Sequence, residues 1–378
     1  MLKRVVIAGG GTGGHLYPGL AVAEALKLRG VECHFVGTRR GMEAKVVPER
    51  GFPFHAIRSR GLSSNPPMAI LALAEMFIGW AQSLGLLSAL RAQLVIGLGG
   101  YVCAPTVAAS AFRGVPAILL EQNSFPGKAN RLLSRLCSYA CVSFEGCRKW
   151  LPHTRVEVTG NPVRAEIITA DRDESRAKLG IEADRKVLLV TGASQGAASL
   201  NEAVLQALPF WKDQPWTIFH LTGARHIEEI STKCKSLVGD GRLDFRPMGY
   251  CDEMDRLYAA ADLLVCRAGA TTLAELTCRG LPAILVPYPF AAEDHQEKNA
   301  QTLVEVGAGI LLRDSEVRPM LGDMVAALME DEGRRQKMAT ASRELGRPQA
   351  VERIIEVIEK VCGPLGPRRM AGDEVVVS

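Results

Sequence analysis

The amino-acid sequence predicts an α/β protein with two doubly wound parallel-sheet domains. Two observations support this class. Short apolar runs rich in β-branched residues alternate with helical stretches, and one such run in each half leads into a glycine-rich turn, in residues 4–20 and 185–201. Alternating strands and helices form parallel sheets with right-handed crossovers. A chain of 378 residues suits two domains rather than one ordinary core.

The first domain is predicted to span residues 1–162. Its strands are Arg4–Ala8, Glu32–Val36, Leu94–Gly97, Ala117–Leu120 and Tyr139–Val142, and its helices begin near Pro18, Met42, Ala69, Ala104 and Lys128. The pattern pauses at residues 156–167, where a short strand ends in Gly160, Asn161 and Pro162. Because these residue types mark turns, this segment is the expected domain junction.

The second domain is predicted to span residues 163–344. Its strands are Lys186–Val190, Thr217–Leu221, Leu243–Pro247, Leu263–Cys266, Ala283–Val286 and Gly309–Leu312. A helix near residues 345–362 closes the chain and is a candidate to pack back on the first domain. The tail, residues 363–378, is predicted to be disordered, as chain ends commonly are.

Composition argues against several classes of protein. The net charge of +4 is mild and no basic stripe is interleaved with aromatic residues, so no nucleic-acid partner is predicted. The ten cysteines form no CxxC pair and several lie in apolar strands, which favours buried thiols in a reducing cytoplasm over zinc or disulfides. Met1 runs directly into the first strand, which leaves no room for a signal peptide.

One segment raises the question of a membrane. Residues 68–90 are apolar enough for a span, although Glu75 and Gln82 interrupt them. Apolar side chains recur there at helical spacing, at Ile70, Leu73, Phe77, Trp80, Leu84 and Leu87. Three interpretations stay open: a buried crossover helix, a helix in the membrane interface with Phe77 and Trp80 inserted, and a true span. A basic rim facing anionic lipid would consist of Arg58, Arg60, Lys128, Arg131 and Arg135.

Six polar loops directly follow predicted strands. They are Gly9–His15, Gly97–Tyr101, Glu121–Asn123, Gly192–Gly196, Arg267–Thr272 and Tyr288–Asn299. Doubly wound sheets bind ligands beyond the carboxyl ends of their strands. Backbone amides at a helix N-terminus bind phosphate. The sequence therefore predicts a cleft between the two sheet edges that holds one anionic ligand.

The first glycine turn formally satisfies the dinucleotide pattern GxGxxG through Gly9, Gly11 and Gly14. A nicotinamide-binding domain also requires an acidic residue at the end of the second strand, but residues 37–40 contain none. A dehydrogenase is therefore disfavoured. His15 follows the turn, and a neutral imidazole there can take a proton from a hydroxyl; capping or packing is its alternative role.

A second polar stretch, residues 262–300, offers the chemistry for a nucleotide sugar. Thr271 and Thr272 can cap a helix, and Glu275 lies near its first turn. A carboxylate there stabilises the helix dipole, and beside a cleft it can also accept two hydrogen bonds from a ribose diol. Neutral groups suited to sugar hydroxyls follow at His295, Gln296 and Asn299.

The motifs together resemble one family, the MurG family of UDP-N-acetylglucosamine transferases of peptidoglycan synthesis. They are GGTGGH at 10–15, GLGGY at 97–101, EQN at 121–123, GNPVR at 160–164, SQGA at 194–197, and the run from RAGATTLAE at 267 to DHQEKNA at 300. The resemblance covers residues 3–360. It implies a GT-B fold, two Rossmann-like domains facing across a cleft. It also implies inverting transfer from UDP-N-acetylglucosamine to the muramyl 4-hydroxyl of lipid I, giving lipid II.

The resemblance also implies roles for individual residues. Substrate contacts would come from Thr12, Gly13, Gly14, Asn123, Arg164, Ser194, Tyr250, Ala270, Thr271, Thr272, Leu273, Ala274, Glu275 and Gln296, with Glu275 on the ribose and Gln296 on the sugar hydroxyls. Acceptor binding or catalysis would involve His15, Tyr101, Glu121, Asn201 and Arg267. His15 is our choice of general base, with Glu121 as the alternative. Helix N-termini at Gly14 and Gly196, with Arg164 or Arg267, would stabilise the departing diphosphate.

Partners and location follow from the same resemblance. We expect UDP-N-acetylglucosamine, lipid I and an anionic membrane surface as partners, with other cell-wall synthesis proteins as further candidates. The expected location is peripheral, on the cytoplasmic face of the inner (plasma) membrane. No cofactor or metal site is expected. The carboxylates of Asp171 and Asp173 fit a solvent-exposed helix cap better than a pair of metal ligands. Stimulation by Mg²⁺ stays open. The alternatives are another GT-B enzyme, such as a glycolipid synthase or UDP-N-acetylglucosamine 2-epimerase, and a non-catalytic membrane-peripheral scaffold.

Overall fold

The computed structural model describes residues 1–61, 65–192 and 196–367. The chain divides into two compact units. Unit 1 consists of Met1–Val163 and the segment that begins at Pro348, and unit 2 consists of Arg164–Arg347. Each unit contains one fully parallel sheet, which confirms the predicted α/β class.

The sheet of unit 1 has seven strands in the order β3-β2-β1-β4-β5-β6-β7. The strands are β1 (Arg4–Ala8), β2 (Glu32–Gly37), β3 (Phe54–Ala56), β4 (Leu94–Gly97), β5 (Ala117–Glu121), β6 (Tyr139–Val142) and β7 (Arg155–Val158). The strand order reverses between β1 and β4, so the loops after these two strands lie at the position where doubly wound sheets bind ligands.

Three helices of unit 1 start earlier than the sequence predicts, two of them by about one helical turn. The helices are α1 (Gly13–Lys27), α2 (Glu43–Glu49), α3 (Pro66–Ala89), α4 (Gly100–Phe112) and α5 (Lys128–Leu133). Pro18 and Pro105 both lie inside their helices, although proline is most typical of a first turn. As a result, the glycine turns lead directly into α1 and α4, and His15 belongs to the first turn of α1.

Of the predicted apolar stripe of α3, only Leu87 is fully buried. The buried residues of this helix are Ala72, Gly79, Ser83 and Leu87. Ile70 and Phe77, by contrast, are 70% and 66% exposed. The interpretation as a buried crossover helix therefore accounts only for the side of α3 that carries these four buried residues. By length and composition α3 could cross a membrane, and only 22% of its most apolar window is buried.

The sheet of unit 2 has six strands in the order β10-β9-β8-β11-β12-β13. They are β8 (Lys186–Thr191), β9 (Trp216–Leu221), β10 (Asp244–Met248), β11 (Leu263–Cys266), β12 (Ala283–Leu285) and β13 (Gly309–Leu311). The helices are α6 (Ala165–Thr169), α7 (Arg172–Lys178), α8 (Ala198–Trp211), α9 (Ile227–Val238), α10 (Met254–Ala260), α11 (Ala270–Arg279), α12 (His295–Val304), α13 (Val317–Glu330) and α14 (Glu332–Leu345). The order reverses between β8 and β11, next to the second glycine turn.

The last helix, α15 (Ala350–Cys362), belongs to unit 1. It packs against α1, and its buried side chains, among them Ile354 and Ile358, join the core that covers one face of the sheet. Unit 1 is thus completed by residues from both ends of the chain. Of the predicted disordered tail, residues 368–378 lie outside the described residues.

Candidate functional site

The first glycine turn runs from the end of β1 to the N-terminus of α1. Gly9, Gly10 and Gly11 have φ values of +154°, +154° and +82°, which side chains strongly disfavour. The amide of Gly9 donates to Val36 O (3.0 Å). That of Gly11 donates to a carboxylate oxygen of Glu43 (2.9 Å). The part of this turn suited to an anion is therefore the start of α1, where the helix dipole is positive.

His15 is where three of the sequence motifs meet. Its Nδ1 lies 2.8 Å from Oε1 of Gln122, and Gln122 donates from Nε2 to Leu98 O (3.0 Å). This second bond fixes the amide so that its oxygen faces the imidazole. Nδ1 therefore carries the proton and Nε2 carries the lone pair. A Cβ on Gly99 would lie 3.4 Å from the ring, so the turn after β4 packs closely against His15.

Glu121, the alternative base, has a buried carboxylate whose two oxygens both accept hydrogen bonds. Oε1 accepts from the backbone N (2.9 Å) and the side chain (3.3 Å) of Asn123. Oε2 accepts from Asn130 Nδ2 (2.7 Å) and Gly127 N (3.3 Å). Burial raises the pKa of Glu121 to about 7, although these hydrogen bonds oppose the shift. These four hydrogen bonds fix the loop after β5 and engage both oxygens of the Glu121 carboxylate.

Tyr101 is the more exposed member of this group. It is the second residue of α4, its side chain is half-exposed, and a Cβ on Gly61 would lie 3.3 Å from its ring. Its backbone oxygen accepts from Ser59 Oγ (2.9 Å). Unit 1 thus brings Thr12–Gly14, His15, Tyr101 and the loop at Asn123 to the carboxyl edge of its sheet.

In unit 2, Ala270, Thr271, Thr272, Leu273, Ala274 and Glu275 are the first six residues of α11. The N-cap is Gly269 and makes no side-chain hydrogen bond, so the expectation that Thr271 or Thr272 caps the helix is wrong. Tyr258 donates its hydroxyl to Glu275 Oε2 (3.1 Å), and Arg164 Nη2 lies 3.8 Å from Oε1. Burial raises the pKa of Glu275 to about 7, although the nearby positive charge of Arg164 partly offsets this shift.

Arg267 is buried and already paired. Its Nη1 lies 2.6 Å from Oδ1 of Asp314 and donates to Pro287 O (3.1 Å). Its Nη2 donates to Ser199 Oγ (3.1 Å). The charge of Arg267, one of the two arginines expected to face a departing diphosphate, is thus paired with Asp314 inside unit 2. Asp314 was not foreseen from the sequence.

The remaining predicted contacts differ in their surroundings. Asn201 is buried and donates from Nδ2 to Thr222 O (3.0 Å), while its Oδ1 has no hydrogen-bond partner among the described residues. Oε1 of Gln296 accepts from Tyr288 N (3.0 Å). Tyr250 is exposed after β10. Ser194 lies outside the described residues.

The segment just before α12 contains two strained residues. Glu293 and Asp294 have φ values of +54° and +53°, in the left-handed region that few side chains adopt. Such strain tends to persist at ligand sites. It sits directly before His295 and Gln296, the side chains predicted to meet sugar hydroxyls.

The residues that the structure describes contain no group of three His, Cys, Asp or Glu side chains placed to hold a metal ion. The carboxylate of Asp171 accepts from Glu174 N (2.8 Å) at the start of α7. Asp171 therefore acts as a helix N-cap.

Known proteins with a similar sequence are glycosyltransferases. Residues 5–142 match the glycosyltransferase family 28 N-terminal domain and residues 187–354 match its C-terminal domain. A relative from Desulforudis audaxviator is 43% identical over 370 residues, covering 95% of this chain and 99% of its own. One from Desulforamulus reducens is 40% identical over 368 residues, covering 95% and 98%. Both are named UDP-N-acetylglucosamine–N-acetylmuramyl-(pentapeptide) pyrophosphoryl-undecaprenol N-acetylglucosamine transferase.

This chain also resembles solved structures. The crystal structure of Acinetobacter baumannii MurG superposes with a TM-score of 0.77 at 29% identity, over 95% of this chain and 99% of that one. UDP-GlcNAc 2-epimerase from Neisseria meningitidis gives a TM-score of 0.66 at 15% identity, over 95% and 100%. At 15% identity, the similarity to the epimerase shows only that the two proteins share a fold.

Proposed function

The chain belongs to glycosyltransferase family 28, and on this premise we propose that it is a MurG-type transferase. It moves N-acetylglucosamine from UDP-N-acetylglucosamine to the muramyl 4-hydroxyl of lipid I, undecaprenyl-pyrophosphoryl-N-acetylmuramyl-pentapeptide. The product is lipid II of peptidoglycan synthesis. The observation that carries the proposal is the 43% identity, over nearly the whole of both chains, with a transferase of that name.

In the proposed reaction His15 is the general base. The 4-hydroxyl oxygen bonds to the anomeric carbon, the bond from that carbon to the UDP oxygen breaks, and the hydroxyl proton passes to Nε2. The hydrogen bond to Gln122 supports this role because it keeps the proton on Nδ1. One displacement inverts the anomeric configuration and needs no covalent intermediate. Glu121 is then a positioning residue that orders the loop carrying Asn123.

Unit 2 is the proposed donor-binding unit. The N-terminus of α11 would surround the nucleoside, with Glu275 accepting hydrogen bonds from the ribose hydroxyls, Tyr250 beside the uracil, and Gln296 on the sugar. The diphosphate would be met by Arg164 and by the amides that lead into α8, with Ser194 and Asn201 nearby. Charge stabilisation by helix N-termini and an arginine supports transfer without a cofactor. The helix N-terminus at Thr12–Gly14 in unit 1 would add to the stabilisation of the departing diphosphate.

Peripheral binding to the anionic cytoplasmic face of the inner membrane is proposed on the exposed face of α3. Phe77, Trp80 and Phe112 form an aromatic cluster with ring centroids 5.6 and 5.4 Å apart in successive pairs. Phe77 and Phe112 are 66% and 72% exposed. Exposed apolar clusters of this kind mark binding surfaces, and an acceptor with an undecaprenyl chain must be reached at a membrane.

The test is turnover with UDP-N-acetylglucosamine and a short-chain lipid I analogue, following UDP release. A transferase releases UDP only when the acceptor is present. Conversion of UDP-N-acetylglucosamine without acceptor would favour the epimerase alternative. Absence of specific binding of UDP-sugars would leave only the scaffold.

A further inference from the structure

Glu43, the first residue of α2, holds a completely buried carboxylate that the reaction above does not use. Its Oε2 accepts from the backbone N of Gly11 (2.9 Å). Its Oε1 accepts from the backbone N (2.8 Å) and the hydroxyl (2.9 Å) of Thr38. Glu43 therefore connects the turn after β1 to the turn after β2 through three hydrogen bonds.

The carboxylate occupies a space that three glycines leave open. A Cβ on Gly10 would lie 2.2 Å from its carboxyl carbon, one on Gly37 would lie 2.5 Å from Cγ, and one on Gly41 would lie 2.0 Å from Oε2. A side chain at any of these positions would displace the carboxylate. This accounts for Gly10, the middle one of the three consecutive glycines in the first turn.

Burying this carboxyl group has a free-energy cost. A buried charge that lacks an ion pair destabilises a fold unless hydrogen bonds compensate, and among the described residues Glu43 forms no ion pair. Its three donors come from backbone and a threonine, and two of them fix loop backbone rather than another side chain. The contact to Gly11 lies one residue before Thr12, the N-cap of α1.

We propose that Glu43 is a positioning residue for transfer. By fixing the backbone of Gly11 it sets the start of α1, and with it the amides at Thr12–Gly14 and the imidazole of His15. The proposal rests on the function given above. Displacement of a reacting group by about 1 Å costs on the order of 100-fold in rate, so small movements of this turn have large effects.

The first test is Glu43→Gln. An amide has one acceptor oxygen, so its NH₂ must face either Gly11 N–H or the Thr38 donors. In either orientation one of the two turns loses its backbone hydrogen bond to residue 43, and the connection between the turns is broken. We expect kcat/KM for the lipid I analogue to fall by about 10–100-fold, with the Kd for UDP unchanged. In the same variant, amide hydrogen exchange of the peptide covering residues 9–14 should accelerate by about 10-fold or more, while peptides from β6 and β7 keep wild-type rates.

The second test perturbs the carboxylate without altering either partner. Gly41→Ala should give the same loss of kcat/KM because its Cβ would displace Glu43. In a Glu43→Ala background, Gly41→Ala should have little further effect, as coupled residues show in a double-mutant cycle. Thr38→Val is the matched control: it removes one hydroxyl but keeps both backbone contacts, so exchange at residues 9–14 should stay near wild type.

Wild-type turnover and wild-type exchange in Glu43→Gln would each overturn the proposal. Faster exchange without a loss of kcat/KM would reduce Glu43 to a structural role and overturn it equally. If the wild-type protein transfers nothing, the proposed function fails, and unchanged exchange in Glu43→Gln would separately refute the contact.

Discussion

The affinity for UDP-N-acetylglucosamine should depend on pH through Glu275. Burial raises the pKa of this carboxyl from an ordinary value of 4.5 to about 7. Only the ionised group offers both of its oxygens as acceptors to a ribose diol, because the protonated acid uses one oxygen as a donor. Ionised Glu275 is present above its pKa and is lost as the pH falls through it, so binding should weaken on acidification.

The size of the effect follows from that pKa. With a pKa of about 7, about nine-tenths of the carboxyl is ionised at pH 8 and about one-tenth at pH 6. The Kd measured by calorimetry should therefore rise by about 10-fold between these values. UDP-N-acetylglucosamine is the ligand of choice, because the terminal phosphate of UDP itself titrates near pH 6.

Glu275→Gln is the matched control for this measurement. It should bind the donor about 10-fold or more weakly at pH 8, because a charged hydrogen-bond partner is worth roughly 1.5–3 kcal/mol, and it should lose the pH dependence. Equal wild-type affinity at pH 6 and pH 8 would refute the assignment of Glu275 to the ribose. So would a pH dependence that Glu275→Gln retains.

Three further predictions concern other parts of the molecule. His15→Ala should lower kcat by about 100- to 10,000-fold with donor Kd unchanged; unaltered kcat in steady-state turnover would remove it as the base. Phe77→Ser with Trp80→Ser should release the protein from anionic vesicles in a sedimentation assay. Phe210→Ser, at a still more exposed phenylalanine in unit 2, should not; vesicle binding that survives the double change would locate the membrane surface elsewhere. Ile358→Ala in α15 should lower the free energy of unfolding of unit 1 by about 2–5 kcal/mol in urea denaturation; a loss below 1 kcal/mol would mean that α15 contributes little to that core.

The sequence predicted the sheets well because strands buried on both faces leave continuous apolar runs. It missed β3, whose three residues, Phe54–Ala56, form no such run. It also placed the start of α1 and α4 too late, since it treated proline as a first-turn residue. Local pattern locates elements, but their ends depend on the loop that precedes them.

The candidate site was only partly accessible from sequence. The motifs pointed to His15 and Glu275, and both lie at the expected sheet edges within their own units. Gln122, Asp314 and Glu43 were missed because each acts on a residue distant in sequence. Residues 37–40, at the end of β2, contain no acidic side chain, and Glu43 lies three residues beyond Arg40. The ring contact between Phe112 and Trp80 joins two different helices, so the local sequence pattern could not predict it.

The central claim is that this chain joins N-acetylglucosamine to the muramyl 4-hydroxyl in one inverting step. The most direct measurement is nuclear magnetic resonance of the disaccharide product formed from UDP-N-acetylglucosamine and a short-chain lipid I analogue. The account predicts one β-(1→4)-linked sugar for each UDP released. An α-linkage, a bond to another hydroxyl, or UDP release without a glycosylated acceptor would contradict it.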